Sequence, residues 1–385
     1  SNSELINPGA GTVELAYVES VELTGGASAN TIDASAFTAG PVVLNGLGDN
    51  DMLLGSAGHD AMNGGDGDDT FVGGDGNDTL AGGSGIDQLH QSADANQVLT
   101  DSTATGLGTD SISAIEEARL VGGISDNSLD ASAFAGSVTL QGLAGNDSLW
   151  GAAGNDSLDG GDDTDLLIQN ADTQQVLTDS SLSGRGNDAV SGIELAHLTG
   201  GNSDNRIDAS LFSGTVTLSG GAGHDTLLAA AGDDSVDGGT GTDEIRQTAD
   251  ADQVLTDTSV SGHGSDQLVS IEQAVLTGGA TANTLDARDF SGTVTLAGLA
   301  ADDTLWGAAG NDSLDGGGGD DLARQQIDAN QILVDTLVTG DGDDTLTGVE
   351  NGWLVAGSSN NVLDAGGFTL GSTTLEGAGG DDTLT

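Results

Sequence analysis

Aspartate and glycine recur at nine-residue spacing in the run Gly64-Gly65-Asp66-Gly67-Asp68-Asp69-Thr70-Phe71-Val72 and in the two nonapeptides that follow, Gly73–Ala81 and Gly82–His90. Each reads G-G-x-G-x-D-x-U-x, with U a large apolar residue. The glycines allow sharp turns with positive φ, the Asp supplies a hard oxygen ligand, and U points into a thin core. In tandem and in register, this is the signature of a calcium-binding parallel β-solenoid. The Asp recurs as Asp51, Asp60, Asp69, Asp78, Asp87, Asp110, Asp147, Asp156, Asp165 and Asp188. It continues as Asp225, Asp234, Asp243, Asp266, Asp303, Asp312, Asp321, Asp344 and Asp382. With Gly64, Gly65, Gly67, Gly73, Gly74 and Gly76, these are the expected metal-site residues.

A parallel roll stacks each turn about 4.8 Å from the turn two strands earlier. Two stacked Asp can then share one cation, with turn carbonyls completing a shell of about six to eight oxygens. The expected pairs are 51/69, 69/87, 87/110, 147/165, 165/188, 225/243, 243/266, 303/321 and 321/344 on one edge, with 60/78 on the other. That makes about ten well-formed calcium sites, with up to twenty as the upper bound, and turns with a neutral Asn (Asn30, Asn127 and equivalents) should bind more weakly. Magnesium fits less well, because it demands octahedral geometry and keeps its waters. Zinc and iron would want His or Cys. The five His hold unrelated repeat positions and there is no Cys.

Composition supports a cation-bound state. The chain has 62 acidic residues, 6 Arg, no Lys and a formal net charge of −56. Only 11 of the acids are Glu, so 62 − 11 = 51 are Asp, the shorter carboxylate that turn-borne sites use. Metal-free, such a chain should be expanded by self-repulsion. Nucleic acid is excluded as a partner for want of Lys and Arg, and membrane insertion for want of an apolar run of about 20 residues. No signal-peptide pattern opens the sequence. H-E-x-x-H and G-x-S-x-G are absent, and the carboxylate pairs read better as metal bridges than as acid/base pairs. An enzyme is not expected.

A longer period overlies the nonapeptides. Leu120, Leu198, Leu276 and Leu354 stand 78 residues apart, and Phe134, Phe212, Phe290 and Phe368 keep the same register. The units are 1–22 (partial), 23–119, 120–197, 198–275, 276–353 and 354–385 (partial), forming one continuous solenoid over 1–385. From Ile112 the apolar anchors step through Leu120, Leu129, Leu140, Leu149, Leu158, Leu167 and Leu177 to Val190. That predicts eight strands per unit, an even number, so every unit should start on the same side. One edge would then carry a near-continuous calcium ladder. The other, with Ile115-Glu116-Glu117, Asn170-Ala171-Asp172 and the Phe turn, should be mostly metal-free. The expected fold is an all-β, right-handed parallel β-roll of about twenty coils, an elongated rod on the order of 95 Å long. Trp150 and Trp306, one residue past the inward U, should pack on the outer sheet surface.

These motifs resemble the RTX (haemolysin-type) calcium-binding repeat family, and the spacers are similar to those of large bacterial RTX surface proteins. The resemblance implies type I secretion, disorder in the low-calcium cytosol and folding in extracellular calcium. It implies no specific activity. The resulting expectation is a calcium-rigidified stalk, matrix or surface-layer element, secreted to the bacterial surface and stacking end to end on neighbouring repeats or further copies. A self-assembling filament subunit and the carboxy-terminal secretion tail of an exoenzyme are the rivals. Leu143 and Leu299 replace the second glycine of their motifs, Ala301 the fourth-position glycine and Ala229 the first, which predicts strained or loosely occupied turns. The array should open mid-coil at Gly11-Thr12-Val13-Glu14-Leu15 and stop mid-pattern at Asp382-Thr383-Leu384-Thr385.

Overall fold

The computed structural model describes the backbone of residues 4–7, 11–14 and 18–385, with side chains from residue 18. No helix occurs among the described residues. Contacts divide the chain into two compact units, 1–169 with 179–196 and 170–178 with 197–385. At the start, Glu4–Asn7 and Gly11–Glu14 pair antiparallel, so this segment is a hairpin rather than the expected coil. Leu15 lies outside the described residues.

In the first unit, alternate strands build two parallel sheets. Val21–Gly26, Val42–Gly48, Ala61–Asp66 and Thr79–Ser84 pair in that order in one, with Leu44, Met62 and Leu80 in register. Thr31–Asp33, Met52–Leu54, Thr70–Val72 and Gln88–Ser92 pair in the other, which aligns Leu53, Phe71 and Leu89. The strands read apolar-in, polar-out, and the aligned Leu, Met and Phe are buried between the sheets. Each buried Leu contributes about 1.5–3 kcal/mol, so a single-file core gains stability rung by rung. The fold is the expected parallel β-roll.

The strand count departs from the sequence reading. Gln97–Thr100, Thr103–Thr105 and Thr109–Ser113 all lie in one sheet and run antiparallel to one another. Thr109–Ser113 stacks parallel on Thr79–Ser84, while Gln97–Thr100 stacks parallel on Ser128–Ala133. The chain thus runs ahead, folds back, and fills the rungs it skipped. In the second unit this meander recurs at Gln253–Val269 and Gln331–Thr347. Its middle strand buries Ala104, Leu182, Val260 or Val338, none of which the anchor walk included. The 78-residue unit therefore holds nine strands, and an odd number exchanges the sheets. Within the second unit, the strands carrying Leu276 and Leu354 accordingly lie in different sheets.

Buried glutamines hold the fold-back. Gln97 is fully buried, and its Nε2 donates to the carbonyls of Val121 (2.7 Å) and Ala93 (3.1 Å). Gln91 Nε2 donates to Thr105 O (2.7 Å) and Gln97 Oε1 (3.0 Å). Gln247 and Gln253 repeat the arrangement. The Val121 and Ala93 carbonyls also accept the Ala93 and Ala95 N–H groups, so the Gln97 amide ties an already bonded turn to the fold-back, and a buried amide left without partners would cost about 1–3 kcal/mol. Asp101 adds a tie, accepting the Ala135 N–H at 2.7 Å beside the buried Phe134 turn.

Left-handed backbone sits at three of the four expected substitutions and not at Ala229. Leu143 and Leu299 take φ of 81° and 79°, and Ala301 takes 74°. Both leucines are about half exposed, at 48% and 52%, so little burial offsets the left-handed backbone. Leu143→Gly and Leu299→Gly should each raise the unfolding free energy in calcium by about 1 kcal/mol. Denaturant midpoints measure this, and a lowered midpoint would show that the side chains hold the turn.

Candidate metal centre

Each unit carries long and short ladders of acidic turns on opposite edges. In the first, backbone N–H groups donate to the next rung's side chain: Asn30 to Asp51 (2.6 Å), Asp51 to Asp69 (2.7 Å), Asp69 to Asp87 (2.8 Å) and Asp87 to Glu116 Oε2 (3.0 Å). On the opposite edge Val42 donates to Asp60 (2.7 Å), Asp60 to Asp78 (2.8 Å) and Asp78 to Asp110 (2.8 Å). Past the meander the long series becomes Asn127, Asp147, Asp165 and Glu194, and the short one Val138, Asp156 and Asp188.

The second unit repeats both patterns. Asn205, Asp225, Asp243 and Glu272 form one long ladder, and Asn283, Asp303, Asp321 and Glu350 the other. Val216, Asp234 and Asp266 form one short ladder, and Val294, Asp312 and Asp344 the other. Asn361 donates to Asp382 at 2.8 Å.

Several expected pairings change. Asp87 and Asp110 do not stack, nor do 165/188, 243/266 and 321/344. Asp110, Asp188, Asp266 and Asp344 stack instead on Asp78, Asp156, Asp234 and Asp312. The long ladders end on Glu116, Glu194, Glu272 and Glu350, residues the motif template excluded. Their own 78-residue recurrence was the available signal. Because the sheets exchange after each meander, the long ladder changes edge within each compact unit. The single near-continuous edge ladder is therefore not formed. The ladders begin where Asn spends its side-chain oxygen on its own turn, as Asn127 Oδ1 does in accepting the Gly123 N–H at 2.8 Å.

The second carboxylate oxygen carries the chemistry. Nine long-ladder aspartates (51, 69, 87, 147, 165, 225, 243, 303 and 321) have a buried Oδ2 without a hydrogen-bond partner, as do Asp78 and Asp234. Such an atom costs about 1–3 kcal/mol, more when charged. The first motif glycine makes room for it: a Cβ on Gly64 would lie 2.0 Å from Asp69 Oδ2 and 2.7 Å from the Gly82 carbonyl oxygen. A Cβ on Gly73 would meet Asp78 Oδ2 at 2.6 Å. Gly65, Gly67, Gly74 and Gly76 hold φ from 96° to 132°. Carboxylate and carbonyl oxygens thus converge where no side chain can sit, a donor set suited to a hard cation.

No group of three or more His, Cys, Asp or Glu side chains clusters as a metal site among the described residues. A site built here draws on backbone carbonyls as much as on side chains. Three short-ladder carboxylates differ, since Oδ2 of Asp60, Asp156 and Asp312 accepts the N–H of Ser56, Ala152 and Ala308 at 2.6–2.8 Å.

Burial pushes these carboxyls up: Asp78, Asp156 and Asp344 to about 7, and Asp87, Asp165, Asp188 and Asp266 to about 6. Backbone N–H donors oppose the shift only partly. The raised values mean that the metal-free fold binds protons more tightly than the unfolded chain does. The proton-linked stability is complete below pH of about 4 and is lost as pH rises through 6 to 7. In calcium-depleted buffer, acidification from pH 8 to 5 should therefore increase β circular dichroism. Calcium binding at pH 6 should release protons, detectable by calorimetry in buffers of different ionisation enthalpy. Loss of β signal on acidification would contradict this.

The profile described as RTX calcium-binding nonapeptide repeat (4 copies) matches residues 38–62, 54–89, 139–167, 217–245, 295–323 and 334–348. No curated protein matches the chain.

Proposed function

We propose that this chain, which carries RTX-type calcium-binding nonapeptides in several stretches, is a calcium-folded structural module of a secreted bacterial protein, ordered only where free calcium is high. The observation carrying this reading is the row of buried, partnerless Oδ2 atoms along the long ladders. Asp51, Asp69, Asp87, Asp147, Asp165, Asp225, Asp243, Asp303 and Asp321, with the turn carbonyls above Gly64 and its equivalents, would hold the ions. Asp78 and Asp234 join them less regularly. Asp60, Asp156 and Asp312 have more of their demand met by backbone N–H groups, and Asp110, Asp188, Asp266 and Asp344, each with one such donor, close the short ladders. Asp382 carries only the Asn361 turn.

Bound calcium supplies positive charge between rungs that otherwise repel. The protein's own part is to orient Oδ1 through the N–H of the preceding rung, to keep the first glycine open, and to exclude water from Oδ2. Ions that bind the folded state and not the unfolded chain shift the equilibrium by mass action. That suits a load-bearing extracellular element better than a switch, because folding and ion occupancy become one event.

A calcium titration followed by circular dichroism tests the setting. Extracellular modules bind at about 10⁻⁴–10⁻³ M and cytosolic sensors at about 10⁻⁷–10⁻⁵ M. A folding midpoint in the upper range supports the reading, and one in the lower range removes the extracellular assignment.

A further inference from the structure

The 78-residue repeat places one notch at equivalent positions of successive repeats, beside the short ladder, and the two copies in the second unit differ in what fills it. In the later copy the indole of Trp306 lies between two guanidinium groups, Arg288 at 3.9 Å and Arg324 at 4.2 Å from the ring centroid. Trp306 is only 5% exposed, and the remaining space is ≈ 30 Å³. In the earlier copy, 78 residues back, Leu228 stands for Trp306, Ser210 for Arg288, Arg246 for Arg324 and His263 for Asp341. There the cavity is ≈ 230 Å³, lined by Ser210, Leu228, Arg246, Gln247, His263 and Asp266. The backbone frame is shared, since Asp208 aligns with Leu228 as Asp286 aligns with Trp306.

We propose that this cavity is a binding site for a planar aromatic ring of about indole size, stacked on the guanidinium of Arg246. The later copy shows the occupant the frame accommodates, a flat ring against the same strand's Arg. A guanidinium over an indole attracts it by about 0.5–2 kcal/mol beyond the burial of the ring. Arg246 is held in place by an ion pair with Glu244. His263 and Ser210 offer polar atoms to the edge of a heteroaromatic ring. The cavity adjoins the short ladder through Asp266, while Ala229 puts a methyl group where the corresponding turn has Gly307 beneath Asp312 Oδ2.

The ring could arrive as a free heteroaromatic molecule or as a tryptophan side chain of another polypeptide. Ligand-observed NMR on the calcium-loaded chain, with indole and with capped Gly-Trp-Gly as separate probes, distinguishes them. Saturable binding of either probe is the expected result, and the tighter probe identifies the source. Leu228→Trp should abolish it by filling the cavity from within. Arg246→Ala should weaken it about three- to tenfold. Ser210→Arg, an exposed change that restores the second guanidinium of the later copy, should tighten it several-fold. Binding by neither probe would overturn the proposal. So would affinity unchanged in both Leu228→Trp and Ser210→Arg, each checked for folding by circular dichroism.

Discussion

Stripped of calcium at neutral pH, the chain is expected to lose its parallel β structure cooperatively and to regain it when calcium returns. Nine long-ladder carboxylates each bury an oxygen with no protein donor. The effective cost of a buried, uncompensated charge is several kcal/mol, and a domain's net stability is only about 5–15 kcal/mol. Two or three uncompensated rungs thus suffice to cancel the fold. The formal net charge of −56 adds long-range repulsion that ions relieve. Far-UV circular dichroism in excess EDTA gives the answer directly, and amide exchange locates it. Protection should vanish first along the long-ladder turns and last in the meanders, whose Gln97 and Gln253 bonds involve no ion. A β spectrum unchanged by EDTA would remove calcium from the folding free energy.

Replacing one ladder carboxylate by its amide should change sign with calcium. Asp69 Oδ1 accepts the Asp51 N–H at 2.7 Å, and the Asp69 N–H donates to Asp87 at 2.8 Å. Asp69→Asn can keep both bonds while removing the charge. Burial holds the Asp69 carboxyl above its ordinary range, so the metal-free fold gains from the amide. With calcium the same change weakens the sites shared with Asp51 and Asp87. The folding midpoint should then move to about tenfold higher calcium, the equivalent of about 1.4 kcal/mol. Asp69→Ala should destabilise in both conditions by about 1–3 kcal/mol, because the Asp51 N–H loses its acceptor. Asp156→Asn is the contrast, since both its oxygens already accept backbone N–H groups. Equal responses of Asp69→Asn and Asp156→Asn to calcium would deny the long ladder its special role.

The nonapeptides announce the roll, the inward Leu and Phe, and the Asp that stack within the long ladders, because an 18-residue coil puts identical turns above one another. Asp51 over Asp69 follows from spacing alone. The meander does not announce itself. Its middle strand is three residues long, as in Thr103–Thr105, and it sits inside a 13-residue step that periodicity treats as a single crossing. Missing it reverses the parity of every later strand, which moved Asp110 onto Asp78 and put Glu116 over Asp87. The buried pair Gln91 and Gln97 carries the sign of it, since a polar residue recurring in core register needs hydrogen-bond partners inside the fold. Trp306 follows the inward Leu305 and is buried, and its two guanidinium neighbours come from separate strands that only the stacking brings together.

Anomalous scattering from crystals grown in calcium, or in terbium as its surrogate, interrogates the ladders most directly. The structure predicts density beside Oδ2 of Asp51 and Asp69 on one edge, then beside Asp147 and Asp165 on the other. Peaks confined to a single edge, or those carboxylates turned outward with nothing beside them, would contradict it.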